Sequence, residues 1–125
     1  SFPNSAVRDN QGRIYVSDGN NWRIAVWGAD GRFLYNFGAG AGIDSVSLPR
    51  GMMIDSYQRL YVVDASAHKI KVYGLESERP EFLFAFGDLG TSDDRFQFPT
   101  DIAIDRRGRI YIADRENNRV QIWVY

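Results

Sequence analysis

The sequence predicts an all-β chain: a propeller segment of three four-stranded antiparallel blades, the third lacking its outer strand. Two observations carry this. One motif recurs three times with the same internal spacing, and each copy is rich in β-branched and aromatic residues bounded by Gly, Asp and Asn, with no helical period. Pro3, Pro49 and Pro99 lie 46 and 50 residues apart, and the same two offsets relate Asp9, Asp55 and Asp105, then Tyr15, Tyr61 and Tyr111, then Asp18, Asp64 and Asp114. The extra residues of the second period fall in connections, most of them between Gly74 and Phe86. A small sheet that is apolar on both faces cannot bury itself; radial stacking of such sheets solves the problem.

Within each unit the elements follow in a fixed order. After the proline comes an inner strand (residues 6–7, 52–54 and 102–104), closed by a turn such as Asp105-Arg106-Arg107-Gly108. Asp first and Gly fourth suit a type I turn, the carboxylate accepting a local amide and Gly tolerating positive φ. The second strand is Ile-Tyr-Val or its equivalent. The third is residues 24–27, 70–73 and 120–123, and the fourth is residues 33–38 and 82–87. A fourth strand of the third unit is not found, which predicts eleven strands. The units span about 2–38, 48–87 and 98–125 in one domain.

Composition sets the outer bounds. The 125 residues carry 15 Lys and Arg against 16 Asp and Glu, and no Cys. A net charge of −1 removes the bulk electrostatic argument for nucleic acid or an anionic membrane. Without Cys there is no disulfide framework, thiolate metal site or cysteine nucleophile. No apolar run approaches the roughly 18 residues that span a bilayer, so membrane insertion is not expected. The chain opens at Ser1 and its methionines are Met52 and Met53, which predicts a processed or excised product.

The repeated residues resemble the NHL repeat family, whose units read Pro, a small-apolar strand, Asp-x-x-Gly, Ile-Tyr-Val-x-Asp, x-x-Asn-x-Arg, an apolar strand and Phe-Gly. Residues 114–122 and 18–24 match that pattern closely; in the second unit Ala67 stands for the Asn and Lys69 for the Arg, which predicts a weaker loop network there. The resemblance covers nearly the whole chain and implies a β-propeller, commonly of six blades. Bacterial members are often extracytoplasmic and animal members often cytosolic; the cysteine-free, Ile-Tyr-Val-rich style leans to the former.

In a propeller the loops from second to third strands and from blade to blade share one end, the usual ligand face. The candidate binding residues there are Trp22, His68 and Asn118 at one repeated loop position, with Arg50 and Asp101, and beside them Asn4 and Thr100, at the start of the inner strands. For any one of these, ordinary loop packing is the simpler reading. Asp18, Asn21 and Arg23, Asp64, and Asp114, Asn117 and Arg119 are assigned a structural role. A catalytic group is needed once, whereas a carboxylate that satisfies loop amides and a guanidinium is needed in every blade. Arg8 occupies the inner-strand position held by Ile54 and Ile104, which predicts an open end or a contact with another chain.

Three chemical readings are weaker. The run 38–42, Gly-Ala-Gly-Ala-Gly, lacks a following Gly-Lys-Ser/Thr and a helix to receive phosphate, and is expected to be a flexible connection. Asp88, Asp93 and Asp94 lack the spacing of a calcium loop, so no metal or other cofactor is assigned. One His cannot build the histidine-bound zinc of propeller amidating lyases. The resulting expectation is a non-enzymatic interaction module that binds a protein partner or is completed by further blades, from a longer chain or a second copy. The alternatives are part of a lactonase-like hydrolase with a divalent ion, and single-stranded RNA binding on the top face. For the RNA reading the net charges of 0, −2 and +1 over residues 1–47, 48–97 and 98–125 supply no basic stripe.

Overall fold

The computed structural model describes residues 3–18, 21–40, 42–87 and 98–124. Three antiparallel sheets follow one another. The first is β1 (Pro3–Arg8), β2 (Ile14–Asp18), β3 (Arg23–Trp27) and β4 (Phe33–Phe37). The second is β5 (Pro49–Ile54), β6 (Arg59–Asp64), β7 (Lys69–Gly74) and β8 (Glu81–Phe86). The third is β9 (Pro99–Ile104), β10 (Arg109–Asp114) and β11 (Arg119–Val124), the last preceded by a 3-10 turn at Arg115–Asn117. Strands pair in sequence order within each sheet, and β5 lies beside both β1 and β9, so the three first strands form the inner edge. These are successive propeller blades. Among the described residues no helix is long and apolar enough to cross a membrane.

The inner strands begin earlier than the sequence suggests, at the proline itself. Proline lacks an N–H and is tolerated as the first residue of a strand, and a register shift follows it between Pro3 and Ser5 and between Pro49 and Met52. Arg50, Thr100 and Asp101 therefore lie within the first half of β5 and β9. Asp88, Asp93, Asp94 and Tyr125 lie outside the described residues, as do Gly19 and Asn20 of the first loop.

Alternation along the strands gives each blade two faces, and cross-strand register sets their membership. The face of the first blade turned to the second carries Val7, Tyr15, Ile24 and Val26, joined with Met52, Leu60, Val62 and Tyr73 of the second blade in one buried cluster. The second blade's other face, with Tyr61, Val63, Ile70 and Val72, packs likewise on Ile102, Ile110 and Ile112. Full burial of each such side chain contributes about 1.5–3 kcal/mol. An edge-to-face ring pair fixes the outer strands: Trp27 on Phe33 at 5.5 Å and Tyr73 on Phe82 at 5.7 Å.

Two backbone positions hold the blades close. Gly51 abuts the third blade's inner strand: a Cβ there would lie 2.8 Å from the Cα of Asp101 and 3.1 Å from the Thr100 carbonyl oxygen. Gln58 takes a left-handed φ of 58° where the equivalent turns have Gly12 and Gly108. Its side chain explains the exception, since Gln58 Oε1 accepts the Asn10 N–H of the first blade at 2.9 Å.

The connection between the first two blades is anchored rather than loose. Val46 is buried in the first cluster and its N–H bonds to the Gly38 carbonyl at 2.7 Å, while Tyr73 Oη donates to the Asp44 carbonyl at 2.9 Å. The glycines permit the bend, with φ of 91° at Gly38 and 126° at Gly40, and Val46 then pins it.

Candidate functional site

Each blade is laced at both ends by a carboxylate, buried in every case but Asp105, which is partly exposed. At one end Asp9, Asp55 and Asp105 open the first turn. One carboxylate oxygen accepts the N–H groups two and four residues on, at 2.9–3.0 Å. The other accepts Arg13, Arg59 or Arg109 Nε at 2.6–2.7 Å and the hydroxyl of Tyr15, Tyr61 or Tyr111 at 2.9–3.0 Å. This Asp-Arg-Tyr cluster extends the turn role read from sequence. Its signal was available as an Arg four residues and a Tyr six residues after the Asp in all three copies.

At the other end Asp18 Oδ2 accepts Asn21 Nδ2 at 2.9 Å and Arg23 Nε at 3.4 Å. Asp114 Oδ2 accepts Asn117 Nδ2 at 2.8 Å and Arg119 Nε at 3.0 Å. The second unit, lacking that Asn and Arg, is not weaker; it is rebuilt. Asp64 is fully buried and accepts Ser47 N–H and Oγ–H at 2.9 and 2.8 Å, Leu48 N–H at 2.9 Å and the Lys71 ammonium at 2.9 Å. Lys71 also donates to the Ser45 carbonyl, and Lys69 to that of Gly87 at 2.9 Å.

Burial works to raise the Asp9 carboxyl, but hydrogen bonds from Arg13 and Tyr15 outweigh it and hold the group below its ordinary value. Asp64 follows the same pattern, with Lys71, Leu48 and Ser47 overcoming its desolvation. At Asp105 burial again opposes, while the Arg109 backbone and side chain and Tyr111 bring the value to about 2. Burial and the bond to Asp9 push the Tyr15 phenol up. Depressed carboxylates stabilise the fold above the ordinary carboxylate range, and that stability is lost as pH falls through the lower folded values. Urea midpoints are therefore expected to be level above about pH 5 and to fall between about pH 4 and 2. A midpoint that rises on acidification would contradict these assignments.

The candidate ligand face is less convergent. Trp22, His68 and Asn118 share a backbone state, with left-handed φ of 53°, 56° and 52°, each in its own blade's loop. His68 Nδ1 accepts the Phe98 N–H at 2.9 Å and its ring meets that of Phe98 at 4.6 Å, so it fastens the start of the third blade. Trp22 is 64% exposed beside a shallow depression lined by Asn21, Ala39, Gly40, Val46 and Ser47. Arg50 is half-buried, its Nε enclosed without a hydrogen-bond partner among the described residues. Asp101 is exposed, and its Oδ1 accepts the Ile102 N–H at 2.9 Å. Among the described residues no three His, Asp or Glu are placed to hold a metal ion. A left-handed non-glycine residue costs about 1 kcal/mol. Trp22→Gly is thus expected to raise stability by up to about 1 kcal/mol in urea titrations, and a loss would mean that the ring packs as core.

The two open blade faces complete the surface. On the first blade Arg8 is exposed and pairs across the strands with Ile14, which in turn pairs with Trp27. On the third, the face away from the second blade carries Ala103, Tyr111, Ala113, Val120 and Ile122. Val120 is 63% and Ile122 60% exposed, where their first-blade counterparts Ile24 and Val26 are fully buried.

Comparison with known proteins agrees with the repeat and the fold. The sequence model of the NHL repeat family matches residues 96–123. A probable peptidyl-alpha-hydroxyglycine alpha-amidating lyase, pgal-1 of Caenorhabditis elegans, is 28% identical over 98 residues, covering 76% of this chain and 26% of the relative. Protein brain tumor of Drosophila melanogaster is 28% identical over 124 residues, covering 97% of this chain and 11% of the relative. A solved streptogramin B lyase structure superposes with a TM-score of 0.74 at 16% identity, covering 98% of this chain and 37% of that one. The chain thus spans about a quarter and a tenth of the two relatives. It carries an NHL-repeat match at residues 96–123 and folds as three successive blades of a β-propeller.

Proposed function

We propose that the chain is a non-enzymatic interaction module whose working surface is the open face of its third blade, where it takes a protein partner or further blades. One observation carries this reading. Val120 and Ile122 stand at positions that are fully buried in the other two blades, yet are mostly exposed here. A contiguous apolar sheet face of that kind marks an interaction site. The repeated use of Asp9, Asp55 and Asp105, each held by an Arg and a Tyr of its own blade, supports the non-enzymatic half, because groups held by the same partners in every copy are spent on structure.

The test places positive charge on the apolar face. Val120→Lys with Ile122→Lys is expected to leave the far-ultraviolet spectrum and thermal midpoint in place while removing most of the fluorescence of anilinonaphthalene sulfonate bound to the unmodified chain. An unfolded variant would show that the face is core, and unchanged dye binding would show that it is not an apolar docking face.

A second reading, part of a propeller lyase, draws on the name of the worm relative. Metal analysis of the purified chain separates the two: a stoichiometric divalent ion that survives dialysis would favour the enzyme.

A further inference from the structure

The interaction reading leaves open what kind of blade the third face takes, and Arg13 shows the rule. Beyond its Nε bond to Asp9, Arg13 uses the rest of its fork on the outer hairpin of the next blade. Nη2 donates to the Leu75 carbonyl at 2.8 Å, and Nη1 to those of Ser77 at 3.3 Å and Glu78 at 3.1 Å. Tyr35 Oη adds a bond to the Glu78 carbonyl at 3.0 Å, and Arg79 returns over the Tyr35 ring at 4.1 Å. That hairpin, residues 74–81, is three residues longer than its first-blade counterpart, residues 28–32.

Arg109 is set in the same way. Its Nε lies 2.6 Å from Asp105 Oδ2, which also receives Tyr111, so the guanidinium is aimed before anything binds. Its side chain is 45% exposed against 12% for Arg13. Among the described residues Asp105 and the Tyr111 ring are what it meets, and both terminal nitrogens are left to solvent.

Resting on the interaction reading, we propose that Arg109 makes this face selective: it docks a blade of different sequence bearing a long, carbonyl-rich outer hairpin, and rejects a second copy of this chain. The first blade of a second copy would offer the tight 28–32 turn, closed on itself by Gly28 N–H to the Arg32 carbonyl at 2.8 Å and Gly31 N–H to that of Gly28 at 3.0 Å. It would also bring Arg8 to the place where Ile54 packs against the first blade, at the end of the face that carries Arg109. Missing acceptors and a second cation both oppose that pairing.

The test converts the chain into its own partner. Residues 28–32 are replaced by the sequence of residues 74–81, together with Arg8→Ile, and association is followed by sedimentation velocity. The unmodified chain is expected to remain a 14.3 kDa monomer. The graft is expected to associate at least tenfold more tightly, and Arg109→Gln in the graft to reverse the gain. Association of the unmodified chain as strong as that of the graft, or a graft indifferent to Arg109→Gln, overturns the proposal. Should the graft not fold, a cyclised peptide of residues 73–82 titrated into the unmodified chain is expected to shift the Arg109 Nε–H and Ile122 methyl resonances, and absence of those shifts is equally decisive. Loss of dye binding in the Val120→Lys, Ile122→Lys variant alongside a failed graft would leave the docking face standing and remove only its selectivity.

Discussion

Asp64→Ala is expected to cost about 3–5 kcal/mol, the range for breaking a buried ion pair from one side. The size comes from what remains. Lys71, with 7% of its side chain exposed, would be left with only the Ser45 carbonyl beside it, and the N–H groups of Ser47 and Leu48 would lose their acceptor. Against a total stability of about 5–15 kcal/mol for a domain, that is enough to unfold a substantial fraction of the molecules. Asp64→Asn keeps an acceptor but not the charge, and should fall between. Restoring neutrality with Lys71→Met in the Asp64→Ala background is expected to recover part of the loss, since packed apolar groups can replace a buried pair. Urea denaturation of the four proteins measures each step. A change below about 1 kcal/mol for Asp64→Ala would mean that water enters the site and the pair is effectively superficial.

Arg13→Ala is the second large effect, expected at about 3 kcal/mol, because it strips a buried carboxylate of its cation and three inter-blade bonds at once. The comparison with Arg109→Ala removes ambiguity. Both arginines pair with their aspartate through Nε at 2.6–2.7 Å, but only Arg13 crosses to another blade. The unfolding midpoint is therefore expected to drop sharply for the first variant and scarcely move for the second. Equal losses would place the importance of Arg13 in its own turn and not between blades.

The repeat made most of this fold legible. Proline, Asp-x-x-Gly and Ile-Tyr-Val fixed the strand order because each reports a local constraint: a missing N–H, a turn that needs positive φ, a pleat that favours branched side chains. The early start of β5 was hidden because the register shift after Pro49 interrupts the alternation that announces a strand. The Asp64 network was hidden for a different reason. Two of its donors, and the acceptor of Lys71, are backbone groups of residues 45–48, and backbone groups have no signature in composition or spacing. Trp22, His68 and Asn118 occupy one position of the repeat, and its left-handed backbone has no signal in the sequence because Trp is not a residue that announces such a turn.

Gly51 bears on how such a chain can change. The equivalent residues are Ser5 in the first blade and Asp101 in the third, and a Cβ at Gly51 would nearly touch the Asp101 backbone. Repeats built on one pattern can be copied or reordered at no cost in strand pattern. Around the axis, however, a third-type blade inserted ahead of Asp101 would drive its own side chain into the neighbouring strand. The three repeats are therefore ordered parts rather than interchangeable beads, and duplication of the whole series is sterically easier than a shuffle within it.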